Sequence, residues 1–113
     1  MNIDVTKVVG YLDDTQLQAL KTKHKIKYIH EVITEDEEGA KHATYFKKPT
    51  MQHLEVLADY TKKDQAIKGL ETLFNTCRLS GSEEVLIDDE MKSAAYQELS
   101  KIFKKREAIV KKR

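Results

Sequence analysis

The chain has 113 residues, with 20 Lys and Arg against 19 Asp and Glu for a formal net charge of +1, and it is 40% hydrophobic and 35% charged. That length fills one domain around one modest core, and the near-neutral charge supplies no strong field toward nucleic acid or an anionic membrane. Cys77 is the single cysteine, which excludes an intrachain disulfide; without an apolar run near the N-terminus to act as a secretory leader or a spanning helix, the expected setting is cytoplasmic.

The first ten residues, ending at Gly10, show no clear period and read as a flexible arm or a short edge strand. A short helix is predicted over 15–23, because Leu12, Leu17 and Leu20 recur at helical spacing. Asp13 and Asp14 stand at its start and Lys21, Lys23 and His24 at its end, as the helix dipole favours. Residues 25–34, rich in Ile, Tyr, Val and Thr, and residues 40–47 flank the polar run Glu35-Asp36-Glu37-Glu38-Gly39, the pattern of an antiparallel hairpin. In such a hairpin Ile26, Tyr28 and Val32 face one side and Ile29 and Ile33 the other. Neither face is then polar, so one is expected to meet the helices and the other something else.

Pro49 cannot donate to a strand ladder, and Thr50 is a good cap for a helix beginning at Met51 whose stripe is Met51, Leu54, Leu57 and Ala58. Asp64 reads as a fresh cap for a helix over 65–78, with Ala66, Ile67, Leu70, Leu73, Phe74 and Cys77 in period. Ser80-Gly81-Ser82 is expected to end that helix through a left-handed Gly81, and 83–88 to form an acidic loop around Val85, Leu86 and Ile87. From Asp88 or Asp89 a last helix is predicted almost to Arg113, with Met91, Ala94, Ala95, Leu99, Ile102, Phe103, Arg106, Ile109 and Val110 along one stripe. The expected fold is α+β, mainly α: an N-terminal helix and an antiparallel β-hairpin packed on a bundle of about three helices. It forms one domain over 1–113, divided into the arm 1–10, a helix-and-hairpin part 11–48 and a helical part 49–113 with a basic end.

Chemistry-bearing residues are present but not arranged in any familiar signature. His24, His30, His42 and His53 form no HxxxH or HExxH pair, so they read as solvated or packing side chains and no metal is expected. His30 and His42 are the pair that a hairpin could bring together. Cys77 lies on an apolar stripe, where a buried, inert thiol is the default. The acids come as runs, 35–38 and 83–90, beside glycine turns, whereas general acid catalysis wants an isolated, buried carboxyl. Gly10, Gly39, Gly69 and Gly81 make no phosphate loop, so no cofactor and no enzyme activity are expected. Lys101, Lys104, Lys105, Arg106, Lys111, Lys112 and Arg113 are the candidate nucleic-acid contacts, against a default in which they complement a helix end. The candidate protein-contact residues are Ile29 and Ile33 on the second hairpin face, Val85, Leu86 and Ile87 in the acidic loop, and Ile102, Phe103, Ile109 and Val110 on the last helix. Such apolar surface also favours a homo-oligomer over a strict monomer.

Tyr45-Phe46-Lys47-Lys48-Pro49-Thr50-Met51, a following helix, Asn75-Thr76-Cys77-Arg78-Leu79-Ser80-Gly81-Ser82-Glu83-Glu84 and an Asp88-Asp89-Glu90 helix start occur in that order. Across roughly residues 12–103 these landmarks resemble a family of small phage and prophage proteins similar to the tail assembly chaperones of long-tailed phages. The resemblance implies transient, non-catalytic binding in the bacterial host cytoplasm, with a tail tape measure protein or a tail tube protein as partner. The strongly basic C-terminal end departs from that pattern.

Overall fold

The computed structural model describes residues 4–102 and 108–113 of the chain. The elements run α1 (Asp14–His24), β1 (His30–Glu35), β2 (Lys41–Phe46), α2 (Met51–Lys62), α3 (Ala66–Cys77), β3 (Arg78–Gly81) and α4 (Asp89–Ile102), with short 3-10 turns at Val5–Lys7 and Glu83–Leu86. The fold is the expected α+β, mainly α architecture, with one strand more than the hairpin. Among the described residues no helix is long and apolar enough to cross a membrane.

Local chemistry sets the helix starts. Asp13 accepts from the Gln16 amide at 2.8 Å while the Gln16 side chain accepts from the Asp13 amide at 2.9 Å, a reciprocal cap that satisfies two otherwise orphaned donors. Thr50 and His53 make the same arrangement at the start of α2. Asp88 accepts from the Met91 amide at 3.0 Å to open α4. Asp64 does not cap α3: it takes a left-handed backbone, φ 58°, in the tight link, and Gln65 precedes the helix without a side-chain cap.

The three strands form an antiparallel sheet in the order β1-β2-β3, so β2 is central. Register pairs His30 with Phe46, Val32 with Thr44 and Thr34 with His42, and the strand pleat therefore puts these six on one face. The Ser-Gly-Ser segment that read as a helix stop extends instead into β3, where Gly81 has φ 135° and a Cβ would stand 2.5 Å from the Ala43 carbonyl oxygen. That close approach is why glycine is needed there.

Both faces of the sheet are covered by the chain itself. On one, Val32 and Phe46 meet Leu73, Phe74, Cys77, Val85, Met91, Ala95, Tyr96 and Leu99 from α3, the following turn and α4. Phe74 sits edge-on between Phe46, at 5.3 Å between ring centres, and Tyr96, at 5.5 Å, a geometry that aligns ring edges with ring faces. On the other face, Ala43 and Tyr45 are buried beneath Val8, Leu12, Leu17, Ile29 and Ile33. The N-terminal segment is therefore no loose arm. Val9 donates to the Lys41 carbonyl and accepts from the Ala43 amide, both at 2.9 Å, pairing in parallel with the edge of β2 that β3 leaves free. The buried Tyr45 hydroxyl accepts from the Leu12 amide at 2.9 Å and ties this segment to the sheet.

The last helix is shorter than its apolar stripe suggested. It is helical to Ile102, while 108–113 is non-helical and Ile109 and Val110 are 94% and 96% exposed. Phe103, Lys104, Lys105 and Arg106 lie outside the described residues.

Candidate functional site

The apolar residues expected to meet a partner divide three ways. Val85 is fully buried in the core, and Leu86 packs against it, so the acidic turn offers neither as free surface; Ile87 beside them is 84% exposed. Ile29 and Ile33 are partly buried, because Val8 and α1 occupy the face on which they lie. Ile102 likewise packs against the main core. Ile109 and Val110 are exposed, but not as a helical stripe.

Apolar surface appears instead on the α2–α3 helical pair. No residue of α2 is buried, and α2 packs chiefly on α3. Leu57 is partly buried toward the core, and Gly69 of α3 lets α2 approach closely, since a Cβ there would stand 2.9 Å from Leu57 Cδ1 and from Tyr60 Cβ. Met51 (63% exposed), Val56 (39%) and Ile67 (71%) remain in solvent on this pair. Helical spacing could not separate these from core positions, because Ile67 keeps the same period as buried Leu73 and Phe74.

The basic residues also divide. Lys101 is ion-paired with Glu98 at 3.3 Å, an exposed pair of small energetic weight. Lys111, Lys112 and Arg113 are exposed and non-helical. A second basic feature, drawn from the Lys21–Lys27 and Lys47-Lys48 runs, forms where α1 and β1 meet the step into α2. There His24, Lys27, His30, Lys47, Lys48, Thr50 and Ile26 line an open cleft of about 690 Å³ around Tyr28, itself 74% exposed.

Two histidines have chemically defined surroundings. His53 Nδ1 accepts from the Thr50 amide at 3.1 Å and lies 3.8 Å from Cys77 Sγ. The pair resembles a nucleophile and base only by composition. Cys77 is fully buried and burial pushes its thiol pKa up, the reverse of what a reactive thiolate requires, with nearby Lys47 only partly opposing that.

His42 is the more organised of the two. It is fully buried on β2, with Nδ1 2.8 Å from Ser82 Oγ and Nε2 2.9 Å from Asp36 Oδ2. Glu84 Oε2 lies 3.7 Å from the same Nε2. Asp36 is fixed by the hairpin turn, its Oδ1 accepting from the Glu38 and Ala40 amides at 2.9 Å each. Its carboxyl is held below the ordinary range, first by the His42 hydrogen bond and then by the Ala40 amide. The acidic hairpin tip is thus a built turn and not merely a solvated run. Register places His30 at the far end of the hairpin from His42, so those two do not meet. The trio was illegible as a motif because its members come from the turn, β2 and the 3-10 turn after β3.

Comparison with family models, with curated proteins and with solved structures finds no match to this chain.

Proposed function

We propose that the chain is a non-catalytic protein-binding factor of the tail assembly chaperone type, acting on a tail tape measure protein, with the tail tube protein as a second client. The observation that carries the reading is α2, a twelve-residue helix with no fully buried residue, which packs chiefly on α3. Exposed Met51, Val56 and Ile67 give this helical pair apolar side chains against which an amphipathic segment of another protein can pack. The ordered landmarks around Pro49, Cys77 and Asp88 support the same reading through the family resemblance. The contact surface we assign is this pair, in place of the covered hairpin face, and self-association through it is the expected competitor for the client.

Co-expression with a tail tape measure protein is the test. Co-purification of the two, lost in Ile67→Asp while the variant keeps its circular dichroism spectrum, is the expected result. A tape measure protein that stays insoluble and uncaptured would remove the reading.

A second reading, binding of nucleic acid, is favoured by the cleft in which Lys27, Lys47 and Lys48 surround exposed Tyr28, since cations for phosphates and an aromatic face for bases are what a single strand needs. It predicts binding of single-stranded oligonucleotide that weakens steeply with salt and is lost in Tyr28→Ala with Lys47→Glu.

A further inference from the structure

The trio on the opposite side of the molecule has a geometry that an ion pair alone does not require. Asp36, His42 and Glu84 each present one donor atom, and the three atoms lie within 4.8 Å of one another. Tetrahedral zinc holds nitrogen and oxygen donors at about 2.0 to 2.2 Å, which separates neighbouring donors by about 3.3 Å. The observed separations from Nε2, 2.9 Å to Asp36 and 3.7 Å to Glu84, bracket that value.

The supporting contacts are those a ligand set needs. A metal-binding imidazole is oriented by a partner on its other nitrogen, and Ser82 Oγ, itself on a buried residue, occupies that place on His42 Nδ1. A ligand carboxylate is held through its second oxygen, and the Glu38 and Ala40 amides do this for Asp36. With Nδ1–H donating to Ser82, Nε2 can give up the hydrogen bond it shares with Asp36 and turn its lone pair to a cation held between the two.

Two further observations bear on the site. Thr34 stands directly across from His42 in the register, is 5% exposed, and its hydroxyl has no hydrogen-bond partner among the described residues. A buried hydroxyl in that position is suited to a water carried by a bound ion. The cleft outside is lined by Asp36, Glu37, Glu38, Glu84 and Asp88, so the field at its mouth is strongly negative and concentrates cations.

We propose that Asp36, His42 and Glu84 bind one divalent cation of the zinc class. The nitrogen-and-two-carboxylate donor set favours zinc over calcium, which takes six or more oxygens, and leaves at least one coordination position for water. The ion ties the hairpin turn and β2 to the turn ahead of α4, and it acts independently of client binding at α2–α3.

Calorimetric titration of the chelator-treated full chain with zinc chloride alone tests this. The expected result is one ion per chain, with affinity lowered about tenfold or more in both Glu84→Gln and Asp36→Asn. Glu84 is 64% exposed, so Glu84→Gln keeps the zinc-free melting temperature of the parent and separates lost ligation from lost folding. No saturable uptake, or uptake that both variants leave unchanged because zinc sits at another histidine or Cys77, overturns the proposal.

Discussion

Asp36 shows how much one side chain can organise at the tip of a hairpin. One oxygen closes the turn by accepting two amides and the other meets a buried imidazole. Its pKa is lowered in the folded chain, so the stability it contributes is complete above the ordinary carboxylate value of about 3.9 and is lost as pH falls through the lowered one. Asp36→Asn keeps an oxygen for the two amides but cannot ionise. Its unfolding free energy, measured by urea titration from about pH 5 downward, is expected to fall less steeply than that of the parent. Little of this was legible beforehand. Glu35 to Glu38 is a uniform acidic run on paper, and only the register, which sets His42 across from Thr34, selects Asp36 from it. Cys77 was legible, because its place on an apolar stripe already argued for burial.

At the level of elements, periodicity located α1, α2, α3 and the hairpin to within a residue or two at most ends, since caps and apolar spacing act locally. It failed where pairing is non-local. β3 is four residues long and exists through its ladder with β2, including the Tyr45 and Ser80 pair, which no local propensity announces. The Gly81 that looked like a helix cap is instead a close-approach glycine beside Ala43. Gly69 repeats that logic between helices. Replacing glycine by alanine within a helix gains about 1 kcal/mol in propensity, whereas overpacking costs about 1 to 3 kcal/mol. Here the new methyl would meet Tyr60 Cβ, which cannot swing away as a side-chain tip can, so the clash wins. Gly69→Ala is expected to lower stability by about 1 kcal/mol and to speed amide exchange in α2. An increase in melting temperature would show that α2 sits more loosely on α3 than this packing implies.

In the whole molecule the sheet is the middle layer, with α3 and α4 on one side and the N-terminal segment and α1 on the other. The expectation that so few helices would leave one hairpin face bare overlooked residues 4–10, whose contribution is one buried side chain and one bridge, too short for any period. Val8→Asp would put an unpaired charge against Ala43 and Tyr45, and it is expected to cost at least about 3 kcal/mol in urea unfolding, where a free arm would show no effect. Because that face is closed, the contact surface we propose for a client is α2 and α3. Hydrogen exchange of the chain with and without a tail tape measure protein, the client proposed for it, tests this most directly. Slower exchange over α2 and α3 in the complex is the predicted outcome; unchanged exchange there, with protection confined to β1 and β2, would contradict it.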